Sequence, residues 1–217
     1  MNAGSSNMAS EIEKVLTDID RYLSRQYHFH KLKFLAQSVV KHSKLEDCHG
    51  VPELYELLKE ALEKKEQDAS VTVALLRHIL QVSGYDRAND LHHFCAEEFN
   101  LTKQEVAPEL HYYEFLLILA GRLRKKNTFR RLLEKIDDCK LHKSKLDVVS
   151  PLDLFNSMIL AGALVPNEID TIRTELITPL KTIGRADEVS FIEICAKKQG
   201  DDQNSRRASL YFSVNAR

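Results

Sequence analysis

Apolar residues recur every three or four positions along most of this chain, with polar and charged residues between them. Ser10-Glu11-Ile12-Glu13 has the form of a capping box, and Ile12, Val15, Leu16, Ile19 and Leu23 follow at helical spacing, which predicts a helix starting at Ser10. Further helices are predicted over about 29 to 42, over 52 to 65 with Leu54, Leu57, Leu58, Ala61 and Leu62 on one face, and over 69 to 82, stopped by Gly84. The segment 86 to 99 reads as a short amphipathic helix, and 100 to 108 as a connector.

A similar order recurs from Pro108. Helices are predicted over 108 to 126, 128 to 138, 151 to 160, 166 to 183 and 185 to 198, with Pro108, Pro151 and Pro166 in first turns and Gly162 and Gly184 at ends. The same succession of helix lengths about 95 to 100 residues apart fits neither a single four-helix bundle nor a short-period solenoid. The expectation is an all-α chain of two tandem bundles.

Two helices depart from the one-stripe pattern. Between Pro108 and Lys126, Leu110, Tyr113, Phe115, Leu116, Leu117, Ile118, Leu119 and Leu123 surround most of the helix axis. Such a helix must be covered on several sides, so the sequence predicts that it packs against the preceding bundle and joins both into one rigid unit. In the second helix, with Leu32 as the zero of the helical wheel, Leu35, Ala36, Val39 and Val40 fall within about 80°, whereas Phe34 lies near 200°. Phe34 is thus expected to point away from its own core, either as an ordinary exposed aromatic or as an anchor for a partner.

Composition narrows the class. The 217 residues are 43% apolar and 29% charged, with only seven Gly and five Pro, which excludes a disordered or fibrous chain and disfavours closely spaced strands. No apolar run approaches the roughly 18 residues of a membrane span, and residues 1 to 10 lack the basic start and apolar stretch of a signal peptide. An intracellular, cytoplasmic, soluble protein is expected. Cys48, Cys95, Cys139 and Cys195 stand far apart without a CxxC, which suits reduced, largely buried thiols.

The net charge of −1 conceals an asymmetry: residues 1 to 100 carry 12 Lys+Arg against 16 Asp+Glu, and residues 101 to 217 carry 19 against 16. Glu46 to Asp68 holds eight acids and three bases, while Arg122 to Lys145 holds ten bases and three acids. Two patches of opposite sign are therefore expected.

At this point the residues resemble a known family. Leu32-Lys33-Phe34-Leu35, Val39, Lys44-Leu45-Glu46, Leu54 and Leu57-Leu58 are similar to the second-to-fourth-helix signature of the death effector domain, a six-helix member of the death fold. In the second half, Ser150-Pro151-Leu152-Asp153-Leu154-Phe155, Leu164-Val165-Pro166-Asn167-Glu168 and Ile183-Gly184-Arg185-Ala186-Asp187 look like the fourth helix, the start of the fifth, and the Arg-x-Asp-Leu motif opening the sixth. The whole chain resembles a tandem pair, with domains at 10 to 99 and 108 to 198, a connector at 100 to 107, a disordered tail at 1 to 9 and a flexible tail at 199 to 217.

The resemblance implies a non-catalytic adaptor or regulator of apoptotic signalling. Such a protein binds other death effector domains, including those of the Fas-associated death domain adaptor and of initiator caspases, and self-assembles homotypically. Tandem pairs occur in FLIP-type inhibitors and in initiator-caspase prodomains, and the chain suits either. The partner-binding candidates are Phe34, Leu35, Arg87, Asp90, Leu91, Arg130, Arg131, Leu132, Leu133, Arg185 and Asp187. The chain departs from the family pattern at Glu188, where Leu is usual, at Arg87-Ala88-Asn89-Asp90-Leu91, which has one residue more than the motif, and at His28-Phe29-His30-Lys31, where an acid is usual.

Other chemistries find less support. Cys139 to His142, His92-His93 to Cys95, and Cys48-His49 are the close His/Cys groups, and none repeats at ligand spacing, so neither a metal nor another cofactor is expected. A Gly-rich phosphate loop, a nucleophile elbow and HExxH are all absent, which argues against an enzyme. The main rival class is nucleic-acid binding through 122 to 145, where ten bases would neutralise several phosphates; the others are a solvated face or docking onto an acidic patch of a neighbouring chain. Arg206-Arg207-Ala208-Ser209 carries the upstream bases that many kinases read, which makes Ser209 a phosphorylation candidate.

Overall fold

The computed structural model describes residues 3–23, 26–96 and 99–197, and every regular element among them is a helix. The chain divides into two compact units, Met1–Phe115 and Leu116–Arg217.

In the first unit α1 covers Ala3–Tyr22 and buries Ile12, Leu16 and Ile19. The capping box at Ser10 therefore lies inside the helix, and the expected tail at 1 to 9 is helical from Ala3 onward. A Ser-x-x-Glu pattern marks a start only where the preceding residues break the helix, and none of residues 3 to 9 is proline. Helix α2 spans Gln26–Ala36, ending well before residue 42. There the Ser38 hydroxyl donates to the Leu35 carbonyl at 2.8 Å, and Gln37, Ser38 and Val39 make i→i−3 backbone bonds. This local competition for carbonyls tightens and ends the helix. A five-residue helix, α3 (His42–Glu46), follows.

Helix α4 (Val51–Glu63) buries Leu54, Tyr55, Leu58 and Leu62 against α1 and α5. Its first turn is tied to α1 by Asp20, whose Oδ1 accepts from the Val51 N–H at 2.8 Å. A Cβ built on Gly50 would stand 3.0 Å from that carboxylate, so any larger residue would push the Asp20 side chain back from the Val51 N–H. Helix α5 (Ala69–Val82) is buried along most of its length, from Val71 to Leu76 and again at Ile79 and Leu80. Asp68 caps it, accepting from the Ser70 and Val71 N–H groups, and the bond from the Ser70 hydroxyl, with that from the Val71 N–H, holds the Asp68 carboxyl below its usual range.

The segment after Gly84, where the sequence predicts a short amphipathic helix over 86 to 99, is a 3₁₀ helix that ends at Phe94 (Asp86–Phe94). Its buried Ala88 and Leu91 stand three residues apart, the spacing that eclipses side chains in a 3₁₀ helix. The expected connector is itself helical: α6 runs over Phe99–Val106 and buries both end residues.

Helix α7 (Leu110–Leu123) is buried at Leu110, Tyr112, Tyr113, Phe115, Leu116, Leu117, Leu119, Ala120 and Leu123, whereas Ile118 is 52% exposed. Its first turns belong to the first unit, where they meet α2 and α5 through Tyr113 and Glu114. The rest belongs to the second unit.

There α8 (Lys126–Lys135) buries Phe129 and Leu132, and α9 (Pro151–Leu160) begins at a Ser150 cap that accepts from the Asp153 N–H at 3.1 Å. Helix α10 (Ile169–Thr182) starts three residues after the predicted Pro166 because Asn167 sits at φ 67° and the Thr171 hydroxyl takes the Val165 N–H. Gly184, at φ 77°, turns the chain into α11, helical over 186–197. Proline sits in the first turns of α4 and α9, and glycine follows α5 and α10.

Candidate functional site

Of the expected docking residues of the first unit, the two apolar ones on α2 are inside it. Leu35 is fully buried and Phe34 is 3% exposed, its ring 5.2 Å from that of Tyr113 at an interplanar angle of 76°. The expectation of an exposed Phe34 is thus corrected. The helical wheel placed it away from the core of its own bundle, and α7, nearly eighty residues on, covers that side. Leu91 is also fully buried, while Arg87 and Asp90 form a half-exposed ion pair at 2.8 Å. The Arg87 guanidinium also lies 5.6 Å from the centre of the exposed Tyr22 ring.

In the second unit the candidates on α8 separate by face. Leu132 is fully buried and Leu133 partly so, while Arg130 and Arg131 are exposed. Among the described residues, Arg124, Lys125, Lys126, Arg130, Arg131 and Lys135 make no ion pair. Elsewhere in the basic stretch, Lys140 binds Glu175 at 2.6 Å, Lys145 lies 3.3 Å from Asp138, and Arg122 stands 4.4 Å over the Phe191 ring. Most of the unpaired charge therefore lies on α8 and the turn before it, with Lys143 a further exposed base that makes no ion pair among the described residues.

The acidic stretch of the first unit is more nearly neutralised. Glu60 accepts from Lys44 at 2.8 Å and from Lys64 at 2.9 Å, and these bonds hold its carboxyl at about 2. Glu53 accepts from the His49 N–H, and Lys59 stands 3.8 Å from Glu56.

At the start of α11, Arg185 bonds Glu188, not Asp187, which is exposed. Glu188 is 3% exposed, so the residue at which the chain departs from the family motif is the one that holds the arginine. Ser209 lies outside the described residues.

The sequence reading missed a cluster on α7. Glu114 accepts from Lys103 at 3.0 Å and lies within hydrogen-bonding distance of His78 and His111. Burial opposes its ionisation, yet the bonds from His78 and Lys103 bring its pKa down to about 2. A lone acid inside the apolar run Tyr112 to Leu119 was the available signal, since such a carboxylate needs partners from another element.

Cys48 is buried, Cys95 and Cys195 are half-buried and Cys139 is exposed, so the expectation of largely buried thiols fails at Cys139. Among the described residues no helix is long and apolar enough to cross a membrane, and no group of three or more His, Cys, Asp or Glu could hold a metal ion. No protein-family model, curated protein or solved structure matches the chain.

Proposed function

We propose that this chain is a non-catalytic adaptor or regulator of apoptotic signalling, which binds death effector domains through helix surfaces and controls the recruitment or activation of initiator caspases. The observation that carries the reading is the two-faced helix α8. Phe129, Leu132 and the following Ile136 anchor it, while Arg130, Arg131 and Lys135 are exposed and make no ion pair among the described residues. A fixed helix with a free basic face favours docking on an acidic surface and steers the encounter. The all-helical order of elements in both units, and the arginine that opens α11, support the same reading.

The basic face also favours a second reading, binding to nucleic acid. Capture of the chain by the death effector domain of the Fas-associated adaptor and by a tandem initiator-caspase prodomain, beside binding to random duplex DNA, tests both. The proposal expects capture that drops in the double variant R130E/R131E and no DNA binding at physiological salt. Absence of capture, or DNA binding lost in the same variant, overturns it. Reconstitution with an initiator caspase and its adaptor gives the sign of the effect.

A further inference from the structure

Helices α1, α3 and α4 of the first unit border an open groove of about 1060 Å³. Ile12 and Leu16 of α1 and Pro52, Tyr55 and Leu57 of α4 line it with apolar surface. Charged residues stand along the same groove: Glu13, Asp47, Glu53, Glu56 and Glu60 against Lys44 and Lys59. Both lysines are engaged, Lys44 with Glu60 at 2.8 Å and Lys59 with Glu56 at 3.8 Å, and Glu53 accepts from the His49 N–H at 2.7 Å. Glu13 and Asp47 are exposed, and their side chains make no ion pair or hydrogen bond among the described residues. Residues 1 to 9 include no Asp, Glu, Lys or Arg, so their side chains do not offset these acids. Tyr55 is 7% exposed, and its hydroxyl has no hydrogen-bond partner among the described residues. A nearly buried phenol with a spare donor is uncommon, and it suits a backbone carbonyl laid along the groove.

The volume is at the top of the small-molecule range, and apolar walls with a charged margin suit a peptide segment. The complement must carry both large apolar side chains and bases. The basic face of α8 does not, since Phe129 and Leu132 are buried in their own unit. The sequence supplies such a segment further on: Arg206 and Arg207 are followed by Leu210, Tyr211, Phe212 and Val214, and no acid occurs after Asp202. These residues lie outside the described ones. We propose that the groove binds this segment of the chain itself, residues 206 to 214, with the two arginines at Glu13 and Asp47 and the apolar side chains on Ile12, Leu16 and Leu57. Ser209 stands between the two groups, so a phosphate there would set like charge against the acids and release the segment. This site is separate from the docking face of α8 and does not depend on it.

The test is fluorescence polarisation of a labelled peptide of residues 203 to 217, titrated with the full chain and with its variant Y211S/F212S, whose own segment is disabled. Saturable binding to the variant is expected, several-fold tighter than to the parent, where the attached segment competes. Reversing the charge of the peptide with R206E/R207E, or phosphorylating its Ser209, should weaken binding about tenfold or more. Adding E13K/D47K to the Y211S/F212S chain should abolish binding of the parent peptide and restore that of the reversed one. In the isotope-labelled full chain, the amides of Ile12, Glu13 and Leu57 should shift between the parent and Y211S/F212S, which keeps the test open if E13K/D47K does not fold. Failure of the peptide to bind, a reversed or phosphorylated peptide that binds as tightly as the parent, or a folded E13K/D47K chain that binds the parent peptide unchanged would overturn the proposal. So would groove amides that move with protein concentration but not with Y211S/F212S, since a second copy would then fill the groove.

Discussion

The ring of Phe34 on α2 meets the ring of Tyr113 on α7 edge-on, at 5.2 Å between centroids. This arrangement favours the positive edge of one ring against the negative face of the other, and both rings are almost fully buried. Burial also pushes the Tyr113 phenol well above its ordinary value, with Glu109 adding to the shift. The pair ties a helix from the start of the chain to one that begins near its middle.

Phe34→Ala should therefore lower stability by about 3 to 5 kcal/mol, and melting by about 10 °C, because it empties a site between two helices. Phe34→Leu should recover much of the loss. Melting curves for the three proteins, beside capture by a death effector domain, check this. Unchanged melting with weakened capture would mean that the ring is a surface anchor after all.

Where local pattern decides the outcome, the sequence was sufficient. The helices at 69 to 82 and 151 to 160 have the predicted ends because each has a capping side chain before it and a chain reversal after it. Phe34 and Glu114 were not legible, since what they meet lies on elements far away in sequence. A short helix after Gly84 was legible, but its 3₁₀ form at 86 to 94 was not, because periods of 3.0 and 3.6 differ little over nine residues. For the α8 face, the spacing of Phe129, Leu132 and Ile136 already implied that Arg130 and Arg131 point outward, but their lack of counter-charges depends on the fold.

Glu114 sets a pH dependence. Its pKa is lowered from 4.5 to about 2 in the folded protein, so its contribution is present in full above about pH 4.5 and is lost as pH falls towards 2. Glu114→Gln should remove that part of the acid dependence. It should also cost about 1 to 3 kcal/mol at pH 7, because Lys103, with its side chain 12% exposed, loses its counter-charge and His78 loses a hydrogen-bond partner. Urea unfolding of both proteins between pH 7 and pH 2.5 measures the difference. Parallel curves would show that the cluster adds nothing to stability.

The pair at the start of α11 makes a separate prediction. Arg185→Ala leaves the 3% exposed Glu188 carboxylate without its arginine, and the expected loss is about 3 kcal/mol. Replacing both, as Arg185→Met with Glu188→Leu, should return stability to near that of the parent, since matched apolar residues often equal a buried ion pair. A double-mutant cycle in chemical denaturation decides. If Arg185→Ala is neutral, the pair contributes nothing and Glu188 is satisfied otherwise.

The last prediction concerns assembly. The uncompensated basic face lies on α8 of the second unit and the acidic residues of α4 lie in the first, so a second copy can bring one against the other. A contact between two different patches need not close on itself, and repeated contacts of that kind make chains. The acids are not idle, however: Glu60 already binds Lys44 and Lys64, and Glu56 stands near Lys59. These pairs are solvent-exposed and screened by salt, so an arriving arginine can exchange with the lysines at little cost. Raising salt should therefore slow assembly more than it speeds dissociation. R130E/R131E should block self-association, and so should E56K/E60K, while a mixture of the two variants should form pairs without long chains. Light scattering of each variant and of the mixture, at low and at physiological salt, reads this directly. If either variant alone assembles like the parent at low salt, the two patches are solvated faces and self-association rests on other contacts.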